Sequence, residues 1–291
     1  MHWLSTRRNI FLMMIFTLVL YTTYIIIPVG IAFYYSLTRF SGLGRPRYIG
    51  LRNYARAFED ANFIIAFKNS MIIFVVAFVI LMIASFLTAN LLNRRIRHSD
   101  LFKSLIFSPA IIAPIVVGIV WVFILDPEIG FLNALLRAIG AKGATRQWIG
   151  GESLTPYSVA IVFCWQQLGF FTAIFTAGFK MIPAELFESS AIDGTSPLQE
   201  LLYIKIPMLK ETIKIVAVLV ITGCFKVFEI VLQLTNGGPN HLSEVLVTYT
   251  YNRTFLGGEY GYGMSVATIT FFVSMVFSVL YLVLLRKRQT D

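Results

Sequence analysis

The sequence predicts an all-α integral membrane protein with six transmembrane helices, and three observations carry that reading. First, 57% of the 291 residues are hydrophobic and only 13% are charged, with a mean hydropathy of +0.75. Soluble domains carry about a quarter charged residues, and disorder needs low hydrophobicity. Second, six stretches reach the length of about 20 apolar residues that a helix needs to cross a hydrocarbon core. Third, backbone in lipid finds no water, so each stretch must close its own hydrogen bonds as a helix. The many Phe (26) and Gly (20) residues agree, since aromatics anchor at interfaces and Gly lets helices approach closely.

The chain reads as one transmembrane domain, 1–291, with spans at about 10–37, 69–93, 104–125, 156–179, 213–234 and 262–285. The first run follows Arg7 and Arg8 and is uncharged from Asn9 to Thr38. It is too long for the apolar core of a signal peptide, and no A-x-A site follows, so it is a retained anchor. Residues 39–68 form a long, strongly basic loop. Pro28, Pro109 and Pro114 mark kinks or helix ends in the first and third spans. In the loop 126–156, Phe131 to Gly140 predicts a short helix closed by the glycine. The fourth run is uncharged from Ser153 to Phe179; the fifth is interrupted by Lys214, Lys226 and Glu229; the sixth is uncharged from Tyr260 to Leu285.

A net charge of +9 would suggest a nucleic-acid partner in a soluble protein. Here the cations lie between apolar runs, where they face lipid headgroups, so no nucleic acid is expected. Arg7–Arg8 and Arg286–Arg288 directly abut their spans and predict that both termini are cytoplasmic, against the weight of the basic loop 39–68. Cys164 and Cys224 lie in apolar runs as small hydrophobes, with no disulfide framework or metal spacing. His2, His98 and His241 are scattered over terminal or loop positions and carry no assigned role. No phosphate-cradling loop, dinucleotide fingerprint or zinc helix stands in the chain.

The loop 180–212 is the most informative segment. Pro183 can open a helix in its first turn, and Glu185 then sits near the positive end of the dipole. Three-and-four spacing puts Leu186, Ser189, Ser190 and Asp193 near one face and Phe187, Ala191 and Gly194 near another. Gly194 breaks the helix, and Ser196-Pro197 starts a second one that stops near Pro207. The expectation is a helix–glycine turn–helix hairpin lying parallel to the membrane. Ser189, Ser190, Ala191 and Gly194 leave room for a partner to approach. A hairpin lying on lipid is the alternative, but Glu185, Glu188, Asp193 and Glu200 would be repelled by anionic headgroups, which favours a protein partner.

In Glu188, Asp193, Gly194 and Ile204-Lys205-Ile206-Pro207 this loop resembles the EAA loop of binding-protein-dependent ABC importer permeases of the sugar-transport type, with Ser189 and Ser190 in place of two alanines. Leu234-Thr235-Asn236-Gly237-Gly238-Pro239, followed by Ser243 to Tyr249 and Tyr251, is similar to the L-T-x-G-G-P segment of the same permeases. Gly50-Leu51-Arg52-Asn53-Tyr54 resembles their G-L-x-N-Y. The resemblance covers nearly the whole chain and implies the type I ABC importer permease fold, six helices around half a pore. It further implies a second permease subunit, two ATP-binding subunits, an extracytoplasmic solute-binding protein and a sugar or oligosaccharide substrate. The setting it implies is a bacterial or archaeal cytoplasmic membrane. On that resemblance the chain is no enzyme and holds no cofactor, because ATP and Mg are bound by the partner ATPase. The loop 183–207 is then the coupling element, presenting Glu185, Glu188, Ser189, Ser190, Asp193 and Gly194 to the ATPase.

Two intramembrane charges point to the pathway. Lys226 and Glu229 are three residues apart, which on a helix is one face. A charge at mid-membrane costs at least ~2.5–3.5 kcal/mol, so it faces a cavity or a partner. The fourth span offers Trp165, Gln166, Gln167 and Phe170, the mixture of rings and amides that binds sugars. The expectation is that Trp165, Gln166, Gln167, Phe170, Lys226, Phe228 and Glu229 lie near the translocation cavity; the plainer alternative is a structural Lys226–Glu229 pair and a packing Trp165. The rival function is an ion-coupled secondary transporter. Such folds show internal repeats, and none is evident between residues 1–125 and 126–291.

Overall fold

The computed structural model describes residues 7–93, 99–151 and 153–287. His2, Arg94, Arg95, Arg97, His98 and Arg288, weighed in the charge and histidine reading, lie outside them. In chain order the helices are α1 (Arg7–Tyr21), a π turn (Thr22–Ile26), α2 (Ile27–Ser36), α3 (Arg52–Glu59), α4 (Ala61–Leu92), α5 (Ser99–Ile111), α6 (Pro114–Leu125), α7 (Phe131–Ala138) and α8 (Thr155–Lys180). They continue with α9 (Ala184–Ile192), α10 (Pro197–Gln199), a π turn (Glu200–Lys205), α11 (Ile206–Met208), α12 (Lys210–Cys224), α13 (Glu229–Thr235), α14 (Leu246–Tyr251) and α15 (Tyr260–Lys287). A two-residue hairpin ladder, β1 (Thr38–Arg39) with β2 (Arg47–Tyr48), precedes α3. Among the described residues four helices are long and apolar enough to cross a membrane, or up to six if each of two bent pairs is one span.

The bent pairs are where the chain departs from straight spans. The third stretch is two helices, α5 and α6, meeting at 102°. Pro114 opens α6, and the residue before it, Ala113, is extended (φ −57°, ψ 135°), as steric conflict with a following proline requires. The fifth stretch is also two helices, α12 and α13, bent by 41°. Residues 225–228 lie in that break, which corrects the placing of Lys226 and Glu229 on one helix face: Lys226 is between helices and Glu229 opens the next. Spacing of three puts two residues on one face only where the helix is unbroken.

The chain forms two compact units. In the first, Met1–Ala61 with Tyr249–Phe271, side chains tie loop to helix. Asn53 is buried and its Nδ2 donates to the Ser36 and Thr38 carbonyls, both at 2.8 Å. The Asp60 carboxylate accepts from the Tyr249 and Tyr262 hydroxyls at 2.5 and 3.0 Å and from Arg253 at 3.4 Å. Burial, then the bond to Asp60, pushes the Tyr249 phenol well above its ordinary pKa. The apolar side chains of Met13–Tyr35 are exposed or half-buried, so that surface is left for lipid or a partner.

The second unit, Asn62–Thr248 with Phe272–Asp291, holds the main core. Phe74 meets Phe225 and Phe277 at 5.3 and 4.8 Å between ring centroids. Phe86 meets Phe175 and Phe179 at 5.5 and 5.4 Å. Cys164 and Cys224 are buried here as free thiols. α5 lies against α8 so closely that a Cβ on Gly169 would collide with the Ile106 carbonyl oxygen; only glycine permits that approach. Asn69 of α4 donates to the Leu242 and Glu244 carbonyls at 2.8 and 2.9 Å, anchoring the loop after α13. His241 stands in that loop with Nδ1 3.2 Å from the buried Glu244 carboxylate. This loop histidine thus has a buried carboxylate as its neighbour.

Candidate functional site

The segment 183–207 folds as a hairpin whose bends are written in neighbouring residues. Pro183 stands at the N-cap of α9 rather than inside its first turn, and Glu185 is in that turn near the positive dipole end. At the other end Thr195 N–H donates to the Ser190 carbonyl (3.1 Å) and Gly194 N–H to the Ala191 carbonyl (3.2 Å). That pair of bonds is a Schellman cap, and it needs a left-handed residue, which Gly194 supplies at φ +70°. Ser196 then begins the second helix with a reciprocal capping box: Gln199 N–H donates to its hydroxyl (3.3 Å), and its own N–H donates to the Gln199 side-chain oxygen (2.8 Å). The wide π turn over Glu200–Lys205 ends just ahead of Pro207, whose ring would clash in a regular α-helix, so the helix runs to Met208.

One long-range contact fixes the hairpin to α4. Lys205 is 7% exposed, and its Nζ lies 2.8 Å from Asn90 Oδ1 and 2.8 Å from Glu200 Oε1, above the Phe187 ring. In the sequence Lys205 entered only as part of the Ile204-Lys205-Ile206-Pro207 match, and its burial against Asn90 was not foreseen. The burial pattern also corrects the predicted faces: Phe187 and Ser190 turn inward together, whereas Glu185, Glu188, Ser189, Asp193 and Gly194 remain exposed. Between those acids stand apolar side chains in the open, notably Ile192 at 87%, Leu198 at 63% and Tyr203 at 76% exposure. The hairpin thus shows water both carboxylates and large apolar side chains.

A second candidate site is a cavity of about 290 Å³ in the second unit, lined by Gln166, Gln167, Phe170, Lys226, Phe228 and Glu229 along with Pro114 and neighbours on α8 and α12. Six of the seven residues expected near a pathway thus meet in one place. Trp165 does not; it points to Trp121, ring edge to ring face, at 5.5 Å. The two helix breaks make the cavity, since Pro114 begins α6 and residues 226–230 span the α12–α13 break. Lys226 and Glu229 are both exposed, and neither is in an ion pair among the described residues. Each is instead matched to a helix end: Lys226 follows the negative C-terminus of α12, and Glu229 is in the first turn of α13. Gln166 is 2% exposed; its Nε2 donates to the Ile112 carbonyl freed by the α5–α6 break (2.9 Å), and its Oε1 has no partner among the described residues. A buried unpaired acceptor costs roughly 1–3 kcal/mol, which a ligand hydroxyl would offset.

The family described as "Binding-protein-dependent transport system inner membrane component" matches residues 99–290. Among similar proteins, the chain is 32% identical to the probable ABC transporter permease protein YurN of Bacillus subtilis (strain 168), over 88% of this chain and 89% of that one. It is 28% identical to the probable starch degradation products transport system permease protein AmyD of Thermoanaerobacterium thermosulfurigenes, over 92% and 90%. Among solved structures it is similar to a chain of a bacterial alginate ABC transporter in complex with a periplasmic protein carrying an alginate pentasaccharide, with a TM-score of 0.79, 20% identity, and 95% and 93% coverage. That likeness concerns the fold.

Proposed function

This chain belongs to the binding-protein-dependent transport system inner membrane component family, and on that premise we propose that it is the permease subunit through which a carbohydrate crosses the membrane, driven by ATP hydrolysis on separate chains. The exposed acidic and apolar face of α9 and the second hairpin helix, held to α4 by Lys205, is the observation that carries this reading. It gives a rigid knob that an ATPase groove can push, so that closure of two ATP-binding subunits moves the helices of this chain and of a second permease subunit. ATP and Mg stay with the ATPases, and an extracytoplasmic solute-binding protein delivers the substrate. The cavity supplies what a sugar needs, namely the Phe170 and Phe228 rings for its apolar faces and Gln166, Gln167, Lys226 and Glu229 for its hydroxyls. A relative named for starch degradation products supports carbohydrate as the class.

The coupling role is tested by Glu188→Ala and Ile192→Asp in the assembled transporter. Both side chains are exposed, so the chain inserts normally, while ATPase association and substrate-stimulated hydrolysis fall at least tenfold. Normal uptake with both substitutions would remove the hairpin from the coupling. We also propose that hairpin and termini are cytoplasmic. In a Cys164- and Cys224-free background, an impermeant thiol reagent applied to intact cells should label Leu43→Cys and spare Ser196→Cys; the reverse pattern would invert the topology.

A further inference from the structure

In the first unit, Arg39, Arg45, Arg52 and Arg56, with Phe40, Tyr262 and one carboxylate, Glu259, line a recess of about 660 Å³. Arg47 joins Arg39 and Arg52 around an adjoining hollow of about 350 Å³. The stretch from 39 to 56 holds five arginines, no lysine and no acidic residue. Arg56 is engaged by Glu259 at 2.7 and 3.1 Å and lies over the Tyr262 ring at 4.2 Å. The side chains of Arg39, Arg45 and Arg52 make no hydrogen bond or ion pair among the described residues.

The local electrostatics are unfavourable in three ways. Arg39 stands directly opposite Arg47 in the β1–β2 ladder, and like charges so placed repel. Arg52 and Arg56 repeat one turn apart on α3. Arg52 also occupies the first turn of α3, where the helix dipole disfavours a cation. Headgroup anchoring explains cations around a loop, but it does not explain their convergence on a recess or the exclusion of lysine. Arginine is the residue whose planar fork grips a carboxylate or phosphate through two parallel bonds. The frame is also built in advance: Asn53 ties α3 to Ser36 and Thr38, and Gly261 N–H bonds the Phe40 carbonyl at 3.0 Å. The volume lies within the range of about 300–1,000 Å³ usual for small-molecule sites.

We propose that this recess binds an oxyanion group, carboxylate or phosphate, presented either by a soluble acidic or phosphorylated sugar or by an anionic lipid headgroup. Its arginines precede the segment 99–290 that the family match covers, whereas Glu259 and Tyr262 lie within it.

The test uses the full chain in nanodiscs of zwitterionic phosphatidylcholine. Isothermal titration with D-glucuronate and with glucose 6-phosphate should give saturable binding that weakens as salt rises. Arg45→Gln and Arg52→Gln, exposed and unpaired and so without a folding role, should each weaken it about fivefold, whereas Lys142→Gln, an exposed cation elsewhere, should not. In a second arm, discs containing phosphatidylglycerol identify the source. Loss of glucuronate binding there, restored by neither glutamine variant, assigns the recess to headgroups; unchanged binding assigns it to a soluble anion. Absence of binding in both arms, or binding that Arg45→Gln and Arg52→Gln leave intact, overturns the proposal.

Discussion

The hairpin closes each of its bends with residues that are near neighbours in the chain, whereas the cavity gathers side chains from α6, α8 and the α12–α13 break. Gly194 serves Ser190 and Ala191, and Ser196 serves Gln199, all within five residues. Gln166 instead reaches Ile112, and Pro114 meets Lys226 and Glu229 across more than a hundred positions. The lesson is that shape at the hairpin is a local property, while its attachment and the whole of the cavity are tertiary ones. Lys205 marks the seam between the two, as a hairpin residue whose partner Asn90 belongs to α4.

The largest test of that contrast is Lys205→Met. Removing the buried cation, with its bonds to Asn90 and to the partly exposed Glu200, should cost the hairpin's attachment about 3 kcal/mol. Limited proteolysis should then cut at 184–204 far faster, while the unfolding temperature of the second unit's core changes little. Unchanged protection would mean that the hairpin needs no anchor. Next in size is Gln166→Leu, which strands the Ile112 carbonyl at the α5–α6 break and should cost about 2 kcal/mol. It should also lower transport affinity while basal ATPase of the assembly persists; equal affinity would take Gln166 out of the pathway. The smallest effect sharpens the local side. Gly194→Ala must hold a Cβ at φ +70° and should cost about 1 kcal/mol, with Ser196→Ala similar through the lost cap. Circular dichroism of the two variants, each read against wild type, should show fraying confined to a few helical residues.

Much of the hairpin was readable beforehand because caps act within one turn. Gly194, Ser196 and Pro197 announce the bend in any context. The inward pairing of Phe187 with Ser190 was not readable, because helical spacing says which residues share a face but not which face meets the protein. The cavity residues could be nominated, since rings, amides and charges inside apolar runs are unusual. Their assembly could not, and Trp165 is the measure of that. It shares α8 with Gln166 and Phe170 yet turns to Trp121.

By itself the sequence determined the membrane class, the apolar stretches and the helix–glycine turn–helix of 183–207. These follow from hydrophobic length, proline, glycine and capping chemistry, all of which operate over a few residues. Only the tertiary structure decided that α12 and α13 are separate helices, which puts Lys226 and Glu229 at two helix ends rather than on one face. Only it decided that Lys205 is buried against Asn90, and that the arginines of 39–56 converge instead of spreading around their loop. Those outcomes depend on where distant backbone segments come to rest. A charge is stabilised or stranded by what is packed beside it, and in these three cases that neighbour is set by the fold.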